Sequence, residues 1–299
     1  MTVRSWLLVT ALTIANACGE TELADREPFG ATPEVTSAPS FVAPTTTDRQ
    51  RGPVGLIALG HSGLTGAYSD PAFPHNDAWH NSWATGTAPS INSISQRMTV
   101  IRPETAAHVK NAAVDGSPAA ALTDQAVQAL EIVPEPALAI IMTVDNDIRC
   151  DGTDASHIVE FGHSITDAIE TILSRSPATH ILLLGQVGRP TTFAAAISHN
   201  SEAARTHAGD GPCDLFDAQL NLDHDNVDTI TKLVELYETE LDNVCARFPQ
   251  CHRDDGALAA FPDDIDDLVD GDWNHLNANG HSRLAASLWP IVAAILNKK

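Results

Sequence analysis

Ser62 lies in the stretch "GHSGLTG", residues 60–66, directly after the apolar run 54–59. A hydroxyl at the point where a buried strand would run out into a loop is placed to meet a ligand. A serine oxygen is a poor nucleophile until a base takes its proton, and a histidine does this near neutral pH. The stretch "DWNHLNANGH", residues 272–281, supplies His275, with Asp272 three positions before it. A carboxylate there would hold the imidazole in one tautomer and stabilise its cation. Attack on a carbonyl also needs donors for the oxyanion that forms, and losing one such donor typically costs ~3 kcal/mol. Gly116 in "AVDGSP" offers a backbone N–H, Asn146 in "VDNDIRCDG" a side-chain amide, and Ser62 its own N–H. The chemistry these residue types could perform together is acyl transfer, which needs a hydroxyl nucleophile, an imidazole base and a carboxylate partner.

Each of these residues also has a plainer reading. Ser62 could be a helix N-cap, Gly116 a turn glycine and Asn146 a turn cap. His275 is one of 13 histidines, and Asp272 ends the acidic stretch "PDDIDDLVDGD". That stretch lacks the ligand spacing of a calcium loop. His75, His80 and His108 form no zinc signature, and His61 reads as a partly exposed loop residue. No metal or organic cofactor is expected.

The elements that must position these groups follow from the apolar pattern. "VGLIALG" (54–60), "HVKNAAV" (108–114), "LAIIMTV" (138–144) and "HILLLGQ" (180–186) read as strands, with a weaker fifth near 251–258. Their near-continuous apolarity suits a sheet covered on both faces. Helices are expected near 90–100, 118–131, 156–175, 225–246 and 277–296, the last kinked or broken at Pro290. Alternating strands and helices imply an α/β fold, three-layer α/β/α around a mostly parallel, five-stranded sheet. In such sheets ligands bind beyond the carboxyl ends of the strands. Ser62, Gly116 and Asn146 each follow a strand.

Taken together, these stretches resemble the SGNH hydrolases, also called the GDSL esterase/lipase family, over roughly residues 54–290. The family's blocks carry Ser, Gly, Asn and His in this order, with an Asp three before the His. The resemblance implies a flavodoxin-like SGNH fold, a triad of Ser62, His275 and Asp272, and an oxyanion hole of Ser62, Gly116 and Asn146. It departs from the family at two places. The G-D-S-L start reads Gly60-His61-Ser62-Gly63, and Val144-Asp145-Asn146-Asp147 stands where the family has G-x-N-D. The pattern is not the G-x-S-x-G elbow of α/β-hydrolases, since residue 64 is Leu.

Of the 299 residues 43% are hydrophobic, enough for a full core, and the formal net charge is −22. That charge repels phosphate backbones, so no nucleic-acid partner is expected. At the start, Arg4 precedes the apolar run 6–15 and then "ANACGE", which reads as an export signal. Two readings stand side by side: cleavage after Ala15-Asn16-Ala17, or lipidation of Cys18 in a bacterial lipoprotein whose lipobox the "ANAC" stretch resembles imperfectly. Residues 19–51 read as a disordered Pro/Thr-rich tether, leaving 52–299 as the hydrolase domain. Besides Cys18 the chain holds Cys150, Cys213, Cys245 and Cys251. An even number in an exported chain suggests two disulfides. Of the three pairings, the one that joins the near neighbours Cys245 and Cys251 leaves Cys150 for Cys213.

These features describe an exported serine ester hydrolase, in the cell envelope or secreted, acting on short-chain acyl or O-acetyl esters of small molecules, glycans or lipids. Two other readings keep the same fold. One is a lipase for longer acyl lipids, against which the modest aromatic content (five Trp, eight Phe) argues mildly. The other is a catalytically silent surface-binding lipoprotein. A flavodoxin-like nucleotide-binding domain would need a glycine-rich phosphate loop after the first strand, and the chain has none there.

Overall fold

Runs that are apolar at every position form strands only when both faces of the sheet are covered. In the computed structural model, which describes residues 52–297, that condition is met. The signal-like start, the stretch 19–51 and Cys18 lie outside the described residues. The strands are β1 (Leu56–Gly60), β2 (Val109–Asn111), β3 (Leu138–Met142), β4 (His180–Leu184) and β5 (Cys251–His252). They form one parallel sheet in the order β2-β1-β3-β4-β5. Every residue of β1 and β3 is buried. The register sets Gly60 beside Met142 and Met142 beside Leu184, so the central strands end level.

Among the described residues the α-helices are α1 (Ser62–Thr65), α2 (Ile94–Ile101), α3 (Leu122–Ile132), α4 (Asp154–Arg175), α5 (Pro190–Ile197), α6 (Ser201–Thr206), α7 (His224–Cys245) and α8 (Ala278–Leu296). Successive strand side chains point to opposite faces, and the core divides accordingly. Ile57, Leu59, Ile141 and Leu183 pack with Phe161, Ile169 and Tyr237 of the α3/α4/α7 layer. Leu56, Ala58, Ile140 and Leu182 pack with Met98, Leu284 and Leu288 of the α2/α8 layer. A smaller cluster joins α5, α6 and the start of α7 to Trp273. The three-layer α/β/α expectation therefore holds, with all strand pairs parallel.

The differences from the expected elements have local causes. β2 shrinks to Val109–Asn111 because it is the edge strand, yet its path continues beside β1 through Ala112 N–H to Ala58 O (2.8 Å) and Val114 N–H to Gly60 O (3.0 Å). β5 keeps two residues, since β4 bonds it only through Ile181 and Leu182. Pro290 does not break α8. The proline leaves the carbonyl of Ala286 without its usual donor, and both residues are exposed, so water can serve that oxygen. The short helices α1, α5 and α6 were not anticipated from the pattern; helices this short carry little periodic signal.

The disulfides are Cys150–Cys213 and Cys245–Cys251, the pairing in which the near neighbours join and leave the other two for each other. The first closes a separation of 63 residues, the second one of 6 between the end of α7 and β5. Chain entropy values the long loop at about 4 kcal/mol and the short one at about 2 kcal/mol. Urea unfolding should therefore show C150S/C213S to be the more destabilised double variant. Intact mass before and after reduction and alkylation should count both bridges.

Candidate active site

β1 ends at Gly60, where φ is 143° and an added Cβ would lie 2.0 Å from the Met142 carbonyl oxygen. Only glycine fits so close to the neighbouring strand. The backbone of Gly60 is gripped by one buried side chain: its N–H donates to Gln125 Oε1 (2.6 Å), and Gln125 Nε2 donates back to Gly60 O (3.0 Å). The chain then turns into α1, a single turn that opens with Ser62. His61 caps it, its Nδ1 accepting from Gly63 N–H at 3.2 Å. Trp83 Nε1 donates to Gly63 O (2.9 Å) and Asn111 Nδ2 to Leu64 O (2.8 Å), so α1 is tied down along its length. The stretch "NSWATG" (81–86) thus supports the serine turn from behind through Trp83.

Ser62, Asn146 and His275 all line one cavity of about 420 Å³ at the carboxyl ends of β1, β3 and β4. His275 is held by Asp272. The Asp272 Oδ2 accepts from His275 Nδ1 (2.9 Å), from the His275 backbone N–H (2.7 Å) and from Asn274 N–H (3.2 Å). With its Nδ1 proton directed at a carboxylate, the imidazole keeps Nε2 as the basic nitrogen. Burial by itself would raise the Asp272 carboxyl, but the bonds from His275, its charge and the Asn274 N–H outweigh burial and hold the carboxyl below its ordinary range. Tyr68 packs edge-on against the His275 ring, centroids 5.0 Å apart. The charge of Asp115, then burial, then Asp272 and Asp77 raise the Tyr68 phenol.

Asn146 stands on the loop after β3, its amide 3.4 Å from Ser117 O. The adjacent Asp147 fixes that loop: it is 3% exposed and accepts from Ala119 N–H (3.1 Å) and Thr143 Oγ1 (2.9 Å). Val144 in the same loop has φ 119°, a region a β-branched residue rarely occupies. Gly116 is brought near this end of the sheet but is not among the residues that line the cavity. It sits at an exposed turn with φ 70°, and its neighbour Asp115 lines the wall instead. Ser62 Oγ and His275 share the cavity without a hydrogen bond between them among the described residues, a contact that in unliganded enzymes often tightens only with substrate.

His61 corrects the reading of an exposed loop residue. It is 2% exposed, and its Nε2 stands 3.8 Å from Asp145 Oδ2. The Asp145 side chain is 40% accessible, its open face lining the cavity. Burial within that wall raises its carboxyl, while His61 and then His275 pull the other way. Sequence reasoning also missed Gln125, Tyr68 and Asp145. Gln125 and Tyr68 carry no motif, and the only signals were the departure at His61 and the departure at Val144 beside Asp145.

The chain matches no family model and no curated protein. It is similar to several solved structures. An extracellular lipase from Streptomyces rimosus shares 15% identity over 81% of this chain and 99% of that one, TM-score 0.47. Phospholipase A1 from Streptomyces albidoflavus NA297 shares 12% over 81% and 99%, TM-score 0.46. A family two carbohydrate esterase from Clostridium thermocellum shares 15% over 82% and 66%, TM-score 0.44. All share little sequence with this chain, and the reading that follows rests on the site's own geometry.

Behind His275, His281 of α8 also lines the cavity, 2% exposed. Burial, with the charge of His275 second, lowers its pKa from 6.5 to about 3. The unfolded chain binds a proton at His281 that the folded chain refuses, so this residue favours folding above pH 6.5 and its contribution is lost as pH falls toward 3. Between those values the slope approaches about 1.4 kcal/mol per pH unit. Urea midpoints measured across that range should fall less steeply for H281Q than for the wild type; parallel curves would contradict the assignment.

Proposed function

We propose that the protein is an exported serine ester hydrolase of the SGNH type. The observation that carries this reading is His275, bound through Nδ1 to Asp272 Oδ2 at 2.9 Å and lining the same cavity as Ser62 and Asn146. Ser62 Oγ attacks the ester carbonyl carbon while His275 Nε2 takes the hydroxyl proton. The C–O bond to the leaving alcohol then breaks as His275 returns that proton to the alkoxide. An acyl-Ser62 ester remains, and water activated by the same nitrogen hydrolyses it to acid and free serine. Asp272 keeps the imidazole in the tautomer this cycle needs and stabilises its cation.

Asn146 Nδ2 and the Ser62 backbone N–H are the donors nearest to hand for the oxyanion. Gly116 joins them if its turn closes toward the cavity when substrate binds. A cavity of about 420 Å³ lies within the ordinary range of small-ligand sites, and the preference for acetyl or short-chain esters over long acyl lipids rests on the modest aromatic content. Two disulfides suit an oxidising compartment, in keeping with export and with either cleavage or lipidation at Cys18.

A fluorophosphonate probe and a panel of p-nitrophenyl esters and acetylated glycans test the reading. Wild-type protein should label and S62A should not. D272N should lose about 10⁴-fold in kcat by analogy with other triads. N146A should lose about 10²- to 10³-fold, as for other side-chain oxyanion donors. A folded, disulfide-intact protein that neither labels nor cleaves any ester would instead be a surface-binding protein that keeps the fold. An undiminished rate in D272N would displace Asp272 as the orienting group.

A further inference from the structure

The cavity that holds Ser62 is acidic beyond what the triad needs. Asp115, Asp145 and Asp263 line it, and no Lys or Arg does among the described residues. The nearest guanidinium on the Asp263 side, that of Arg189, is taken up by a two-point contact with Glu238 (3.0 and 2.7 Å). Among the described residues Asp263 accepts hydrogen bonds from the neutral donors Thr192 Oγ1 and Arg189 N–H, and the Arg189 charge acts on it without a direct contact. Three further atoms of the wall have no hydrogen-bond partner among the described residues, Gln186 Oε1, His281 Nδ1 and His61 Nε2, the last 3.8 Å from Asp145 Oδ2. The first is an acceptor by chemistry. The second belongs to a ring that is 2% exposed and held neutral by burial, so one of its two nitrogens is an acceptor. Orphaned acceptors in a cavity call for a ligand that donates. Phe193 adds an aromatic face to the same wall.

We propose that this cavity selects esters that carry a protonated amine, whose ammonium is bound between the carboxylates of Asp145 and Asp263 with Gln186 Oε1 as acceptor and Phe193 as an apolar face. The inference rests on the reading of Ser62 as an ester-cleaving nucleophile and names the substrate class of that site. An ammonium supplies the positive charge that no Lys or Arg of the wall provides, with N–H groups for its unpaired acceptor. It would act in the same direction as His61 and His275 at Asp145, and as Thr192 and Arg189 at Asp263, against the rise that desolvation imposes on both carboxyls. A carboxylate or phosphate ester would meet like charge in the same place. Aromatic rings attract such cations through their faces.

Three probes of one size separate the charge from the shape: benzylammonium, benzyl alcohol and phenylacetate. Their binding to the full chain is read by NMR titration, which needs no turnover, and by inhibition of p-nitrophenyl acetate hydrolysis. Benzylammonium should bind at least about tenfold more tightly than benzyl alcohol, with phenylacetate weakest, since a unit charge near a carboxylate at intermediate dielectric is worth more than that factor. The advantage should shrink on raising salt toward about 0.5 M as screening sets in. D145N and D263N should each cut the benzylammonium-to-benzyl-alcohol ratio by about threefold or more, consistent with one partly solvated charge pair. The ratio compares two ligands on the same sample, so a partly unfolded variant does not distort it.

Equal binding of the three probes, or tighter binding of phenylacetate, overturns the inference while esterase activity and labelling stand. Ammonium selectivity in a protein that cleaves no ester and takes no fluorophosphonate overturns the reading of Ser62 instead, and with it the claim that the ammonium ligand is an ester.

Discussion

The contact on which the site depends is the approach of β1 to β3 at Gly60. A side chain there would drive into the Met142 carbonyl, 2.0 Å from where a Cβ would sit. Because the two strands can close to that distance, β1, β3 and β4 end level and their following loops face one space. The buried amide of Gln125 then satisfies both backbone groups of Gly60 and reaches Ser117 Oγ as well (3.0 Å). One side chain of α3 thereby ties the loop after β1 to the loop after β2. A buried amide left unpaired would cost ~1–3 kcal/mol, so the pairing of all three groups is a strong local constraint.

From that edge the site is built on backbone held in unfavourable conformations. Val144, Tyr68 and Trp273 have φ of 119°, 59° and 54°. Val144 precedes Asn146 by two positions, Trp273 lies between Asp272 and His275, and the Tyr68 ring rests on His275. Each such residue costs on the order of 1–3 kcal/mol and persists only where its surroundings over-determine it. Val144 is fully buried, and Trp273 O accepts from His207 Nε2 at 2.8 Å. Strain gathered around one cavity, in loops held by buried polar groups, is what a pre-organised site requires.

The central strands were legible because burial on both faces leaves a run with no polar position, as in Leu138–Met142. The edge strands were legible in place but not in length, since a strand bonded on one side ends wherever its neighbour stops pairing. α4 and α7 were legible within two residues because long amphipathic helices carry several turns of pattern. Pro290 misled because its effect depends on exposure, which a sequence does not print. In the site, the Asp272 and His275 spacing was readable because three positions can bring a carboxylate back to its histidine. Gln125 was not, as nothing local distinguishes a clamp 65 residues away from any helical glutamine. His61 was visible as a departure from the resemblance, and Asp145 only as the neighbour of the other departure, Val144. Only the structure sets them 3.8 Å apart, with an acidic group on the β3 loop facing a histidine beside the serine.

The central claim is that Ser62 becomes acylated. Acid-quenching the protein during turnover of p-nitrophenyl acetate, followed by intact mass and peptide mapping, tests it most directly. An acetyl group on the peptide that carries Ser62, formed and lost at rates consistent with turnover, is the result the geometry predicts. Steady hydrolysis with the acetyl group on another residue, or undiminished hydrolysis by S62A, would contradict it.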